Sequence, residues 1–91
     1  MNQQNIINAR RLFLEAVETY SEANEQTRQR DIDVGIAQRT GDAEEIAKAQ
    51  KVQTEHASKV WLPAYQEKKH RAQELCRVLD IEPSVLKGAL G

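Results

Sequence analysis

The fold is decided by residues 6–37, IINARRLFLEAVETYSEANEQTRQRDIDVGIA. Two rows recur every seven positions in this stretch: Ile6, Phe13, Tyr20, Thr27 and Val34, and, three residues later, Ala9, Ala16, Ala23, Arg30 and Ala37. A seven-residue repeat keeps one stripe of an α-helix facing a partner helix over several turns. We therefore predict a long first helix that packs lengthwise against another helix. The packing should be close because alanine dominates the second row, with Arg30 as a polar interruption.

The composition is typical of long helices in a single domain. Of the 91 residues, 40% are hydrophobic and 30% are charged, and there are only four glycines and two prolines. A chain of this length is near the lower size limit for a self-sufficient core. Its aromatic residues are Phe13, Tyr20, Trp61 and Tyr65, so the core should be thin. We predict one all-α domain spanning residues 1–91.

Charge and hydrophobic runs argue against several classes of function. A formal net charge of −1 produces no global field that would attract nucleic acid or an anionic membrane. The longest apolar run, Leu12–Leu14, is far short of the roughly 20 residues of a membrane-spanning helix. The N-terminus has neither the basic start nor the apolar run of a signal peptide, and Cys76 has no second cysteine to pair with. These features predict a cytoplasmic protein without membrane contact.

A tight helical hairpin is predicted at Thr40-Gly41-Asp42. Gly41 suits the left-handed residue that follows a helix, and Asp42 suits the N-cap of the next one. Gly35 costs the first helix about 1 kcal/mol relative to alanine, so residues 31–35 are an alternative place for a break. The second helix carries a predicted stripe of small and apolar residues: Ala43, Ile46, Ala47, Gln50, Thr54, Ala57, Val60 and Trp61.

The second helix should kink or break at Pro63. Proline lacks an amide proton, and its ring crowds the carbonyl four residues earlier. Pro83 should end the helix at Glu82, because a residue before proline avoids the helical conformation. A short C-terminal helix is then expected from Pro83 to Leu90.

The N-terminal part of the first helix is apolar on two sides. At 100° per residue, the apolar positions between Ile6 and Tyr20 spread over roughly 220° of the circumference, more than one partner helix covers. Self-association into a helical bundle covers both sides, so we predict a homo-oligomer, at least a dimer. The predicted oligomer interface consists of Ile6, Ala9, Phe13, Ala16, Val17 and Tyr20.

The sequence contains no recognisable catalytic motif. It has no Ser-His-Asp arrangement, Gly-rich phosphate loop or paired-cysteine site. Glu67 and His70 have the Glu-x-x-His spacing of di-iron bundles, but two lysines lie inside the motif, so a solvated charged face is the preferred interpretation. His56 and His70 are interpreted as surface residues, and Cys76 as a small buried hydrophobe. We predict no enzymatic activity, no metal site and no cofactor.

Large apolar residues are concentrated around Pro63 and near the C-terminus. Two of the four aromatic residues lie beside this proline. They are either plain core or rigid anchors of the kind that dominate protein interfaces. With the apolar residues of the last segment, they exceed what the hairpin itself can bury, and exposed apolar patches mark partner sites. The predicted partner-binding surface consists of Trp61, Leu62, Tyr65, Val85, Leu86 and Leu90.

The C-terminal segment also has a second interpretation. Leu75, Cys76, Leu79, Ile81 and Leu86 resemble the spacing of a helix-turn-helix of the kind seen in phage and bacterial regulators, whose second helix enters the DNA major groove. The resemblance covers residues 71–90 and implies base contacts from Ser84 and Lys87. It departs from the pattern at Asp80, where glycine usually makes the turn, and it offers few cations for phosphate contacts. Otherwise the segment is a docking tail or a cap on the bundle.

The preferred functional prediction is a non-enzymatic module that binds and occupies another protein. Small helical chains without catalytic groups commonly act in this way, including phage-encoded antirepressors and inhibitors of host factors, a likeness of size and class alone. The alternative is a helix-turn-helix DNA-binding regulator that uses residues 71–90.

Overall fold

The structure is a computed structural model, and it describes residues 3–82. Helix α1 spans Gln3–Thr40, α2 spans Ala43–His56 and α3 spans Leu62–Leu79; a π-helical segment, Ala57–Trp61, joins the last two and is called the π turn below. No strand occurs among the described residues, so the all-α prediction is confirmed for them. The predicted C-terminal helix Pro83–Leu90, including Val85, Leu86 and Leu90, lies outside the described residues.

The molecule is a long helical hairpin. Helix α1 contacts α2, the π turn and α3, and the chain forms a rod with extents of 60 × 20 × 14 Å. The predicted hairpin of two helical arms is therefore confirmed. None of the helices in residues 3–82 combines the length and the apolar content needed to cross a bilayer.

The two arms meet at the predicted turn. Gly41 adopts a left-handed conformation with a φ of 72°. Asp42 caps α2, because its Oδ1 accepts hydrogen bonds from the amides of Glu44 and Glu45 at 2.9 and 3.4 Å. These bonds satisfy amides of the first turn that have no partner within the helix. The sequence thus encodes the reversal locally, before any packing between the arms.

The seven-residue repeat of α1 forms the buried seam of the hairpin. All five buried residues of α1 belong to the two predicted rows: Phe13, Ala16, Ala23, Val34 and Ala37. Helix α1 also continues through Gly35, so the alternative break at residues 31–35 does not occur. Gly35 is tolerated because helix propensity is a weak preference that packing of the whole seam overrides.

The core is thin, as the composition predicts. Its cluster lies at the open end of the hairpin, where Phe13 packs with Ala72 and Leu75 of α3, and Ala9, Val17 and Leu79 surround them. Elsewhere the seam is made largely of alanine, which buries little area per turn. None of the large described side chains is completely enclosed.

The buried face of α2 differs from the predicted stripe. Of that stripe only Ile46 and Trp61 are partly buried, and Ala43, Ala47, Gln50, Thr54, Ala57 and Val60 are exposed. The less exposed residues of α2 are instead Ile46, Ala49, Gln53 and His56. Alanine lies on several faces of α2 and does not select one. Polar side chains decide the matter, because they reach partners on α1: Gln53 Nε2 donates to Asp31 Oδ1 at 2.7 Å.

Pro63 does not break the second arm, because the π turn precedes it. The amide of Leu62 donates to the carbonyl of Ala57, five residues earlier, instead of to the usual fourth residue. Less exposed positions before and after this segment are spaced by three or four residues, but His56 and Trp61 are five apart. The π turn therefore accommodates one extra residue, and it brings Trp61 instead of Val60 towards α1.

Two glycine-to-alanine substitutions should change stability in opposite directions. Gly35 lies inside α1, and an added methyl group would meet nothing within 4 Å. Gly35→Ala should therefore raise the free energy of unfolding by roughly 0.5–1 kcal/mol. Gly41→Ala should lower it by about 1 kcal/mol, because an L side chain is strained at its positive φ. Thermal unfolding followed by circular dichroism measures both, and a stabilising Gly41→Ala would contradict the described turn.

Candidate functional site

Three aromatic rings form a cluster across the two arms, beside the π turn. Trp61 and Tyr65 are stacked, with ring centroids 5.3 Å apart and planes inclined by 4°. Tyr20 of α1 lies 6.0 Å from each of them, at 52° and 51°. Both geometries are favourable for aromatic pairs, and each pair is worth about 0.5–1.5 kcal/mol beyond its buried area. We call Tyr20, Trp61 and Tyr65 the aromatic cluster.

Polar contacts fix the cluster to both arms. Trp61 Nε1 donates a hydrogen bond to Asn24 Oδ1 at 2.8 Å. Lys68 Nζ lies 3.9 Å from the centroid of the Tyr20 ring, a cation–π contact. Lys68 is buried, so the solvated charged face predicted around Glu67 and His70 does not extend to this lysine. Its methylene stem packs while its charge meets an aromatic face.

The cluster remains partly open to solvent. Tyr65 is 37% exposed and the neighbouring Leu62 is 41% exposed, while Trp61 is half-buried. Trp61, Leu62 and Tyr65, predicted as one partner-binding surface, are thus adjacent at one place on the rod. Rings that are already stacked and hydrogen-bonded lose little freedom when a partner covers them. The three side chains thus form a partly exposed apolar patch that is held in one arrangement.

His56 is the main correction to the sequence analysis. It is buried, at 7% exposure, and is not a surface residue as predicted. Its Nε2 lies 3.0 Å from Thr27 Oγ1 and 3.2 Å from the Ala23 carbonyl oxygen, and the Thr27 hydroxyl donates to that same carbonyl at 2.9 Å. We call this set the His56 contact. It explains how an imidazole enters the seam, since a buried polar group must find partners.

The residues predicted as the oligomer interface lie mostly in the hairpin seam. Phe13 and Ala16 are buried within a single chain, and Ile6, Ala9, Val17 and Tyr20 are half-buried. On the other side of the same helix, Ile7 and Leu14 are exposed. The structure holds one chain, so the oligomer interface stays a prediction. A second copy would meet only what the seam leaves uncovered.

The structure also shows where the residues considered for metal binding or thiol chemistry lie: Glu67, His70 and Cys76. Glu67 Oε1 accepts from Arg71 Nε at 2.7 Å, and His70 is exposed as predicted. Within residues 3–82 no group of three or more His, Cys, Asp or Glu side chains is arranged to hold a metal ion. Cys76 is buried, at 2% exposure, as the interpretation of a small buried hydrophobe requires.

The end of α3 has the geometry of a tight turn. Asp80 is left-handed, with a φ of 56°, and the amide of Ile81 donates to the Cys76 carbonyl at 3.0 Å. Aspartate thus makes the turn for which the helix-turn-helix pattern usually employs glycine. One turn earlier, Glu74 and Arg77 form an ion pair at 2.8 Å, and the hydrogen bond from Arg77 lowers the pKa of the Glu74 carboxyl.

Asn24 and Lys68 are parts of the site that sequence reasoning missed, and Tyr20 was predicted as part of the oligomer interface instead. Tyr20 stands in a seam row and Asn24 four residues later, so both positions pointed to the side of α1 next to the partner arm. The sequence carries no signal for the π turn, whose one-residue shift brings Trp61 next to Tyr20 and Asn24. Comparisons with protein-family models, curated proteins and solved structures found no match for this chain.

Removing the His56 contact should destabilise the hairpin. His56→Ala leaves a gap in the seam and removes a buried hydrogen bond, which should lower the free energy of unfolding by roughly 1–3 kcal/mol. Thr27→Val keeps the side-chain shape and the bond from His56 to Ala23, so its effect should be smaller. His70→Ala is the matched control, because an exposed histidine should change stability by only about 0.5 kcal/mol or less. Urea unfolding measures all three, and equal effects of the two histidine variants would contradict the buried contact.

Proposed function

We propose that this chain is a non-enzymatic interaction module that binds and occupies another protein through the aromatic cluster and Leu62. One observation carries the proposal: three of the four aromatic residues of the chain are gathered at one partly exposed place. A chain with so few aromatic residues would enlarge its hydrophobic core more by burying them in the cluster at the open end of the hairpin than by leaving them partly exposed. Their position at the surface favours a role in recognition.

The physical case rests on preorganisation. Tryptophan and tyrosine are enriched among the few residues that carry most of the binding energy in interfaces. Here stacking fixes the two rings of the second arm against each other, and the Asn24 hydrogen bond holds the indole in place. A partner would therefore gain apolar contact without a large cost of ordering side chains. Leu62, at the rim, extends the apolar surface.

The π turn supports the same proposal. Such segments are rare and occur frequently at functional sites. In this hairpin the π turn shifts the register by one residue and thereby joins Trp61 to Tyr20 and Asn24 of α1. A regular α-helix would have presented Val60 at this position.

The proposed activity is that of a small regulator or inhibitor, of the type of phage-encoded antirepressors or host-factor inhibitors. It includes no catalytic step and no cofactor, and it assigns the chain to the cytoplasm as a homo-oligomer. The analogy in size and class is the only ground for the regulatory role. The aromatic cluster is the ground for the binding role.

A capture experiment tests the proposal. The tagged full chain is incubated with nuclease-treated extract of the cells that encode it, bound proteins are identified, and the mass of the purified complex is measured by light scattering. Leu62→Ala and Tyr65→Ala should each weaken binding of the captured protein, by roughly tenfold or more at a central contact. Ile7→Ala, an exposed isoleucine about 20 Å from Tyr20 along α1, should leave affinity unchanged. Equal binding by all three variants would place the partner surface elsewhere.

A second candidate is a helix-turn-helix DNA-binding regulator that uses residues 71–90. The left-handed Asp80 favours it, since α3 ends there in a tight turn of the kind that the motif places before its second helix. Against it, Arg71 and Arg77 are already paired with Glu67 and Glu74 at 2.7 and 2.8 Å. Phosphate contacts would have to replace these pairs.

Salt dependence separates the two candidates. DNA binding should weaken steeply with salt, because counterions are released from the phosphates, whereas apolar docking should change little. The double substitution Ser84→Ala and Lys87→Ala should abolish DNA binding and spare a protein complex anchored at Trp61. Nucleic acid that is retained at high salt, or by the double variant, would contradict the helix-turn-helix candidate.

A further inference from the structure

A groove lies between α1 and α2 near the hairpin turn. It measures about 440 Å³, with Ala37 and Ala49 as its floor and Ile36 and Val52 as its apolar sides. A second depression continues along the rod towards Val60, and Arg30 and Val52 border both. Ile36, Val52 and Val60 are 54%, 46% and 41% exposed. We call this surface the hairpin groove.

The hairpin groove and the aromatic cluster lie on different sides of the rod. Asn24, which binds Trp61, and Asp33, which lines the groove, are nine residues apart in α1. Nine residues are two and a half helical turns, so these side chains leave the helix in opposite directions. A protein bound at the aromatic cluster would therefore leave the groove uncovered.

We infer that a second copy of this chain occupies the hairpin groove, so that the protein is a two-fold symmetric dimer. The exposed area of the chain supports this occupant. A compact monomer of 10.3 kDa exposes about 5,400 Å². This chain exposes 6624 Å². The excess of about 1,200 Å² follows from the rod shape, and it leaves enough area for the roughly 1,000 Å² that each protomer of an obligate homodimer buries.

The charges at the rim of the groove are self-complementary. On the α1 side stand Arg30 and Asp33, and on the α2 side Glu45 and Lys48, so each rim carries one cation and one anion. The pairs within the chain are long, at 3.8 Å for both Arg30–Asp33 and Lys48–Glu45, and exposed. A two-fold axis that sets α2 antiparallel to its own copy pairs Glu45 of each chain with Lys48 of the other. A partner of different sequence would need its own cations and anions at matching positions, whereas a second copy carries them already.

Arg30, on the α1 side of the groove, is incompletely hydrogen-bonded within residues 3–82. Its Nε is buried and has no hydrogen-bond partner within the part of the chain that the structure describes. A buried donor of this kind is costly unless an acceptor is supplied. A second copy cannot reach this enclosed atom, but the Arg30 side chain is 38% exposed, so a carboxylate of that copy would pair with the terminal guanidinium nitrogens. The polar interruption of the α1 seam is thus where the dimer contact should form.

The other exposed apolar residues of α1 make a poorer dimer surface. Ile7 and Leu14 are exposed on the convex side of a single helix. Charged residues lie within one turn of one or the other of them along α1: Arg10, Arg11, Glu15 and Glu18. Isolated exposed apolar residues are normal on protein surfaces, whereas a concave surface with apolar walls and a charged rim resembles an interface.

Sedimentation equilibrium of the full chain across a concentration series tests the inference. The unsubstituted chain should be a dimer. Val52→Glu and Ile36→Glu each bury a carboxylate in both halves of the contact and should weaken self-association by roughly 100-fold or more. Leu14→Glu, with similar exposure but about 33 Å from Ile36 along α1, is the matched control and should remain dimeric. A monomeric unsubstituted chain, or dissociation by Leu14→Glu alone, would overturn the inference.

Charge exchange provides a test that does not depend on core packing. Glu45→Lys and Lys48→Glu each place like charges opposite one another in a homodimer, and at low ionic strength each should weaken it by roughly five- to tenfold. An equimolar mixture of the two variants should form a heterodimer of restored affinity, because opposite charges meet again. This result would support the inference even if Val52→Glu lost helical content. Failure of the mixture to recover would overturn it, and neither outcome depends on the partner proposed for the aromatic cluster.

Discussion

The structure depends on the close packing of one stripe of α1 against the whole second arm. Alanine at the seam lets the helix axes approach closely, but each turn then removes little apolar area from water. Only the open end, around Phe13 and Leu75, has a cluster of larger side chains. Polar contacts such as that of His56 therefore contribute directionality that the small residues cannot, and they fix which faces of the two arms meet.

The π turn solves a problem of register created by this seam. From Ile46 to His56 and again from Trp61 to Leu75, the less exposed residues follow α-helical spacing, so both halves of the second arm face α1. His56 and Trp61, which end and begin the two halves, are five residues apart, one more than α-helical spacing allows. Placing the extra residue in a π turn keeps both halves on the seam and puts Pro63, which has no amide to donate, directly after an already irregular hydrogen-bond pattern.

The parts of this fold that could be predicted are those written in local signals. The repeat of α1 and the turn at Gly41-Asp42 are such signals, and the structure confirms both. The face of α2 was predicted wrongly because a stripe of alanines has no unique direction, and because His56 and Gln53 enter the seam only through partners on the other arm. The register shift at Trp61 could not be predicted for the same reason. A π turn depends on the packing of the helix before and after it, and its own residues carry no local signal for it.

The small size of the hydrophobic core explains why both proposed surfaces stay exposed. A hairpin that buries so few large side chains keeps Ile36, Val52, Tyr65 and Leu62 exposed, because two helices have only one shared seam. The rod thus has one flank on either side of that seam, and both arms contribute residues to each flank. If one flank holds a second copy, the aromatic clusters of the dimer lie on its outer sides, and the assembly becomes bivalent. Two linked sites raise apparent affinity through effective concentration, which suits a small protein whose single contact surface is limited.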